Sequence, residues 1–560
     1  MSEGTDLSTP EPVRRSSNPR NRLESEAWPV LDVAVVEQLR AAGTTRRVEV
    51  GDVLFDVGQD SYALAYVERG AVSIVDRAND HVVARIDAGN FLGEIGMLMG
   101  QRTFFAGVVS VAGQIIEVQA EALRELVATV PEVGDAVVGA FAARRRLLME
   151  WGEGGLVIVG DENDTGARRL LEFVSRNQVP HRWLDRSDTR SVAALAETCD
   201  LPTAGTAVVT GRSAVLAAPS TRELARAVGL DLAADTQQVF DLLVVGAGPA
   251  GLAASVYAAS EGLSVVVVED TAIGGQAGTS SRIENYLGFP KGVSGTELAY
   301  RGQIQAVKFG ARIVAPRRAT RLTPRDDIFE VELDDDTILT TKTLILANGV
   351  QYRRLPLDRL AELEGRGVYY AATELEARFC RNTEVVIVGG GNSAGQAAMF
   401  LSRYATCTHI VVRGEGLAAT MSQYLASRIE SDRRIKLWTH TEVVRLDGGD
   451  SLEEVTLRNH HSGDQASIES KALFVMIGAA PNTDWLDEQI GLDSHGFVLT
   501  GRDAGPGLDS YATTLPGVYA VGDLRSGSVK RVASAVGEGS VVISSVHKYL
   551  ESLDAKGRRP

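Results

Sequence analysis

The sequence predicts a multidomain protein whose larger part is two Rossmann-like three-layer α/β domains, preceded by a β-barrel with helices and a small α/β domain. Three observations lead there. An apolar run, Leu242 to Val245, enters GAGPAG at Gly246 to Gly251, and a second run, Val385 to Val388, enters Gly389, Gly390 and Gly391. Alternating apolar stretches between residues 48 and 86 are broken by glycine or aspartate turns, as in a small antiparallel barrel. At 560 residues the chain is also too long for one hydrophobic core.

In the first glycine turn, Gly246, Gly248 and Gly251 follow a strand and open an alanine-rich helix, with Pro249, Ala250 and Ala253 where that helix must start and pack closely. The helix-opening N–H groups form an anion site suited to a pyrophosphate. The next strand, Leu263 to Val268, ends in Glu269, 23 residues past Gly246. That is near the offset of roughly 20 at which a carboxylate binds a ribose diol.

The second turn, Gly389, Gly391 and Ala394, repeats the pattern with a different ending. Counting 23 residues from Gly389 reaches Val412, followed by Arg413. A 2′-phosphate is repelled by an acid and paired by a guanidinium, so NADPH is expected ahead of NADH. An ordinary strand-end surface arginine would look the same. Two such turns in one chain suit an enzyme moving hydride between a nicotinamide and a flavin.

Composition narrows the class. The net charge of −16 disfavours DNA, RNA or an anionic membrane as partner. No apolar run approaches a membrane span, and residues 1–28 read as a disordered tail, not a secretory signal. Cys199, Cys380 and Cys407 include no closely spaced pair, which points to a cytoplasmic protein without disulfide scaffold or zinc knuckle. The eight histidines show no metal-ligand spacing, with His460 and His461 adjacent and the others isolated, so no metal site is expected. Arg144, Arg145 and Arg146 read as a solvated helix face.

From about residue 240 to 550 the chain resembles the thioredoxin reductase group of two-domain flavoproteins. The resemblance rests on GAGPAG, on Gly274, Gly275 and Gln276, on IENYLGFP at Ile283 to Pro290, on GGGNSAGQA from Gly389, on APNTDWL from Ala480, and on GVYAVGD ending at Asp523. It implies an FAD domain in two parts, 238–350 and 476–560, interrupted by an NAD(P)H domain, 351–475. By the same resemblance Gly522 and Asp523 approach the ribityl chain or pyrophosphate, and Lys530, Arg531 and Val532 lie at the pyrimidine end of the flavin. Gln276 and Asn285 would hydrogen-bond the flavin, and Asn392 and Ser393 open the nicotinamide-domain helix. Asn285 fits a turn cap equally well, and Arg531 the partner of an acid. The group also implies a homodimer; Val130 to Leu148, apolar on one face, is a second contact or the cover of its own barrel.

Two departures change the expected chemistry. Where the family has C-A-T-C, this chain places Ala371 and Glu374 at the cysteine positions, and thiol–disulfide exchange needs two sulfurs. Cys380 reads as a small core hydrophobe. The family's arginine cluster for the 2′-phosphate is reduced to Arg413, unless Arg428 or Lys436 folds back.

Upstream, residues 29–152 combine strands at Val48 to Phe55, Ala63 to Val67, Val72 to Val75 and Val82 to Ile86 with helical sequence at Asp32 to Ala42 and Glu121 to Trp151, broken near Pro131. GNFLGEIGMLMGQRTFF, from Gly89, resembles the phosphate cassette of cyclic nucleotide-binding domains. Gly93 would admit the ligand, Glu94 accept from a ribose hydroxyl and Arg102 pair a cyclic phosphate. Arg102 comes one residue early, the proline is missing, and Phe104 and Phe105 replace small residues, so a degenerate regulatory or dimerisation module stays open. Residues 153–237 run strand, helix, strand, helix, strand, strand, helix and resemble a thioredoxin or glutaredoxin domain without redox cysteines.

The expected protein is thus a cytoplasmic FAD-dependent NAD(P)H oxidoreductase passing electrons to a quinone, an iron–sulfur protein or an external disulfide protein. No acid–base catalytic side chain is expected, since the flavin carries the redox chemistry. A flavoprotein sensor with little turnover and a thioredoxin reductase using distant cysteines are the alternatives.

Overall fold

The computed structural model describes residues 22–59, 61–77, 80–151, 155–161, 164–211, 214–230, 236–280, 282–364, 366–370, 372, 374–418 and 420–557. The chain divides into two compact units, one of residues 1–159, 179–219 and 223–230, the other of residues 160–178, 220–222 and 231–560.

In the first unit, two long strands, Leu64–Asp76 and Ala106–Val118, pair antiparallel and carry four shorter ones in a six-stranded sheet. The expected strands at Ala63 to Val67 and Val72 to Val75 are one strand running through Gly70. There φ is +95° and the Val111 carbonyl leaves no room for a Cβ, so only glycine continues the pairing. The expected strand at Val48 to Phe55 is two, Thr44–Val48 and Val53–Phe55, split by a turn. Ala106–Val118 went unforeseen because Gly107, Gly113 and Gln114 interrupt its alternation. Residues 22–27, assigned to the tail by sequence, form a helix.

The helical tail breaks as expected, Ala120–Thr129 ending before Pro131 restarts a helix through Trp151. Val133, Val137, Phe141 and Leu147 on the second helix are buried within its own domain. Here the sequence expectation is corrected: Arg144 and Arg145 are 7% and 1% exposed and belong to the interior, not to a solvated face.

The same unit holds a four-stranded sheet in the order Ala214–Ala217, Ala207–Thr210, Leu156–Gly160, Arg182–Asp185. Val157, Val159, Leu184, Ala207, Val209 and Cys199 form its core.

The second unit contains two seven-stranded sheets of the same design. In the first, Arg312–Val314, Val265–Val268, Val239–Val245 and Ile338–Leu346 run parallel, with Val518–Ala520 also parallel to Ile338–Leu346 and a two-strand meander beyond. In the second, Ile435–Trp438, Cys407–Val411, Glu384–Val388 and Gln465–Val475 repeat that arrangement. Continuous Val and Ile runs suit strands covered on both faces, as parallel sheets require. The chain passes between the two through an antiparallel pair, Val350–Tyr352 with Ala479–Pro481. Beside it Asn348 and Asn482 each donate from Nδ2 to the other's carbonyl, at 2.6 and 2.7 Å. Among the described residues no single helix is long and apolar enough to cross a membrane.

Helix Thr165–Arg176 counts with this unit and touches both of its layers. Arg176 donates to the Gly275 carbonyl at 3.1 Å. Arg168 donates to the Tyr369 hydroxyl at 3.3 Å and lies 4.4 Å from the centre of the Phe379 ring.

Candidate functional site

The first glycine turn is a cradle that side chains would fill. Gly246 has φ +105° and faces the Ala347 carbonyl, while a Cβ on Gly251 would strike the Gly246 carbonyl. Both Cβ positions are excluded, so the chain bends sharply and the helix Pro249–Ser260 starts against its strand. Gly248 caps that helix, and the nearest atom to a Cβ there is Gly275 Cα at 3.9 Å, leaving its N–H groups open. Ala250 is buried between this helix and Val532–Gly557, where Gly539 allows the backbones to meet.

Glu269 ends the second strand and is 6% exposed. It accepts from the N–H groups of Ala247 at 2.7 Å, Thr271 at 3.1 Å and Ala272 at 3.3 Å. Burial pushes its carboxyl up to about 7, and Asp270 adds to the push; the amide donors and Arg176 pull it back. Gly274, at φ +102°, donates to the Ala247 carbonyl at 2.8 Å, laying its loop against the glycine turn. Gln276 Nε2 donates to the Val350 carbonyl at 2.8 Å, so it ties this loop to the connecting strand. Asn285 is exposed in the loop that follows.

The Gly522–Leu524 turn comes to the same place, with Gly522 Cα opposite Ala250. Its anchor was missed in the sequence. Glu538, 7% exposed, accepts from Gly522 N–H at 2.7 Å and from Arg525 at 2.7 Å. An acid on an otherwise apolar helix stretch was the available signal. Burial raises Asp523 while Lys530 lowers it. Lys530 Nζ lies 4.9 Å from the centre of the Phe497 ring, Arg531 is exposed, and Val532 opens the long C-terminal helix.

The second glycine turn has the same build. Gly389, at φ +144°, faces the Met476 carbonyl, and Gly391 caps the helix Asn392–Leu401, where Ala394 is fully buried and Ser393 is exposed. Asn392 Oδ1 accepts from Ser422 N–H at 2.8 Å, so its side chain braces the next helix. Arg413 stands exposed two residues beyond the strand Cys407–Val411. Arg428 does not join it, pairing instead with Glu284 at 3.2 Å.

One grouping overturns the reading of isolated histidines. His440 N–H donates to Gly414 O at 3.0 Å, and its ring meets His460 and His461, with imidazole nitrogens of all three within 4.8 Å of one another. Sequence spacing hid this because His440 comes from a different strand end.

The cysteines stay apart from this chemistry. All three are free and buried. Cys380 donates to the Glu376 carbonyl at 3.2 Å, and burial pushes its thiol up to about 12. Ala371 lies outside the described residues, as does the Glu374 side chain.

In the N-terminal domain the cassette residues separate. Glu94 caps the Ile95–Met99 helix through Gly96 N–H at 2.9 Å and accepts from Arg145 Nε at 3.0 Å. Gly93, at φ +137°, packs against Phe141. Arg102 lines a different cavity, of about 710 Å³, with Asp56, Arg77 and Thr103.

Comparison with known proteins agrees with this geometry. Residues 240–539 match the pyridine nucleotide-disulphide oxidoreductase family, and residues 45–130 the cyclic nucleotide-binding domain. The thioredoxin reductase of Treponema pallidum is 32% identical over 314 residues, 56% of this chain and 98% of the relative. A Clostridium pasteurianum protein described as a 34.2 kDa protein in the rubredoxin operon is 30% identical over the same shares. The crystal structure of T. acidophilum thioredoxin reductase superposes with a TM-score of 0.52 at 29% identity, covering 57% of this chain and all of that one. The chain belongs to the pyridine nucleotide-disulphide oxidoreductase family, as an FAD- and NAD(P)H-dependent, thioredoxin-reductase-like oxidoreductase without a C-x-x-C pair, fused to a cyclic nucleotide-binding-like domain.

Proposed function

We propose that this protein takes electrons from NADPH and passes them to an external acceptor directly from its flavin, with no internal dithiol. The observation that carries the reading is the state of its sulfurs: three free, buried cysteines, with Cys380 held as a thiol inside the core. FAD, when bound, supplies the hydride-accepting ring. The chain's own residues do the rest. Gly246, Gly248, Pro249, Ala250 and Gly251 form the pyrophosphate cradle, Glu269 takes the ribose diol, and Gly274, Gln276, Asn285, Gly522, Asp523, Lys530, Arg531 and Val532 border the flavin. Gly389, Gly391, Asn392, Ser393 and Ala394 form the second cradle, and Arg413 pairs the 2′-phosphate that distinguishes NADPH from NADH.

The domains that follow from this reading are the FAD domain at 238–350 and 476–560, the NAD(P)H domain at 351–475, and a thioredoxin-like domain at 153–237. For the last, support comes from the strand order of its four-stranded sheet and from its succession of elements. A cytoplasmic homodimer is part of the proposal; sedimentation at the 59.7 kDa chain mass would reject the dimer.

Stopped-flow mixing with NADPH should bleach the flavin band. Turnover is then followed with a quinone, an iron–sulfur protein and thioredoxin in parallel, for the wild type and for a variant with all three cysteines changed to serine. Equal turnover by both supports direct transfer. Disulfide reduction that disappears in the cysteine-free variant overturns it.

A further inference from the structure

Three imidazoles meet at one corner of the second seven-stranded sheet. His440 ends the turn between the strands Ile435–Trp438 and Thr441–Asp447, and His460 and His461 follow the strand Glu454–Asn459. Thr441 pairs with Asn459, so one step further out His440 faces His460, whose N–H donates to the His440 carbonyl at 2.9 Å. Strand alternation would send His461 to the face opposite His460. It is turned back because Asn459 Oδ1 accepts from the N–H groups of His461 and Ser462, at 2.9 and 3.1 Å, and ends the strand there. Ring centroids are 4.0 Å apart for His440 and His461, 4.8 Å for His460 and His461, and 5.8 Å for His440 and His460.

What sets this group apart is that its ring nitrogens are uncommitted. His181, His409, His495 and His547 each engage a ring nitrogen with a carbonyl, a carboxylate or a hydroxyl. No ring nitrogen of His440, His460 or His461 hydrogen-bonds to a described residue, and one nitrogen from each lies within 4.8 Å of the other two. The backbone beneath them is fixed. His440 N–H donates to the Gly414 carbonyl at 3.0 Å and Thr441 Oγ1 to the Thr439 carbonyl at 2.7 Å. His440 also sits at φ +51°, a conformation that glycine or asparagine takes more readily.

We propose that His440, His460 and His461 bind a Zn²⁺ ion, one nitrogen from each, with water in the fourth position. Neutral imidazoles on three arms suit Zn²⁺ and do not suit Mg²⁺ or Ca²⁺, which take oxygen ligands. Zn–N bonds of about 2.0–2.1 Å place tetrahedral nitrogens roughly 3.3 Å apart. The rings close that gap by side-chain rotation, since His460 and His461 are exposed and have room to turn. The same turn is tied to Gly414, next to Arg413, so the ion braces the strand end assigned above to the 2′-phosphate. The metal site itself does not depend on that assignment.

The test is calorimetric titration of the full-length flavoprotein, carrying no histidine tag, with Zn²⁺. One ion per chain should bind, and a large excess of Mg²⁺ or Ca²⁺ should not displace it. Changing His460 and His461 together to glutamine should abolish binding while leaving the flavin absorbance unchanged. His440→Asn, which keeps a residue suited to the left-handed turn, should weaken binding by more than the roughly tenfold that losing an outer hydrogen bond to a metal ligand costs. Changing all three cysteines to serine should leave it as it was. On the unaltered chain, Cu²⁺ in place of Zn²⁺ should give an EPR signal coupled to three imidazole nitrogens, a readout that needs no variant. Absence of Zn²⁺ binding, binding retained without His460 and His461 or lost with the cysteines, displacement by Mg²⁺, or coupling to fewer than three nitrogens would each overturn the proposal.

Discussion

The two glycine turns differ less in shape than in the charge placed beside them. Both join a buried parallel strand to a helix through a glycine whose φ and close carbonyl neighbour exclude a side chain, Ala347 in one and Met476 in the other. Beyond that shared frame, the first turn is flanked by Glu269, nearly buried and receiving three amides, and the second by Arg413, exposed. In the proposed reading the frame holds a dinucleotide phosphate and the flanking charge selects which ribose goes with it. A carboxylate accepts from a free diol, and a guanidinium pairs a phosphate in its place.

The largest expected effect separates the two frames. In Gly251→Ala the new methyl lands on the Gly246 carbonyl, and in Gly389→Ala on that of Met476. Strain of about 3 kcal/mol is expected at each, roughly a hundredfold in affinity. Gly251→Ala should purify without its flavin absorbance. Gly389→Ala should keep it, be bleached by dithionite, and require about a hundredfold more NADPH for the same rate. Loss of flavin in both variants would show that the second turn supports the first fold rather than a second ligand.

Next comes pH, which reports on Glu269. Its pKa in the fold is raised from 4.5 to about 7, with burial the main cause. A raised value means that the protonated form stabilises the flavin-free protein below the ordinary pKa, and that this contribution is lost as pH rises toward 7. A ribose diol donating to the carboxylate favours the ionised form. FAD affinity should therefore fall as pH drops below 7, by up to about tenfold per unit. Fluorescence titration of the stripped protein measures it, and Glu269→Gln should flatten the profile. An unchanged slope in that variant would assign the pH effect elsewhere.

Arg413→Ala should act on one cofactor alone. An exposed charge-assisted contact to phosphate is worth about 1 kcal/mol, so NADPH should bind roughly fivefold more weakly and NADH as before. Equal loss for both would remove Arg413 from the 2′-phosphate.

Much of the frame was legible because its chemistry is written in residue types with few other uses. Glycines at positive φ, a strand before them and an acid at the next strand end follow from backbone geometry, so Gly246, Glu269 and Gly389 could be placed from spacing. What escaped depends on packing between distant segments. Arg144 and Arg145 sit on a helix whose charged face turned inward against Glu94 and Phe91, and helical periodicity alone does not say which face a domain buries. His440 meets His461 across strand ends, with no signal in their separation. Ala106–Val118 was hidden by glycines that serve close strand pairing, since Gly113 abuts the Arg69 carbonyl.

The smallest expected effect concerns Arg428, which the sequence left free to assist Arg413. In the fold it bridges the two α/β layers instead, through Glu284 at 3.2 Å, and also donates to the Tyr424 hydroxyl of its own helix at 2.8 Å. Both charged partners are more than a third exposed, so solvent screens the pair and its worth is a few tenths of a kcal/mol. Arg428→Ala should then change NADPH affinity by less than about twofold, within what such a pair can contribute. Arg413→Ala and Arg428→Ala together should be no worse for NADPH than Arg413→Ala alone, because the two guanidinium groups share no ligand. The double variant measured by NADPH titration decides the matter. If its loss exceeds that of Arg413→Ala several-fold, Arg428 leaves Glu284 when the dinucleotide arrives, and the second turn gathers its charge only on binding, whereas the first has Glu269 in place beforehand.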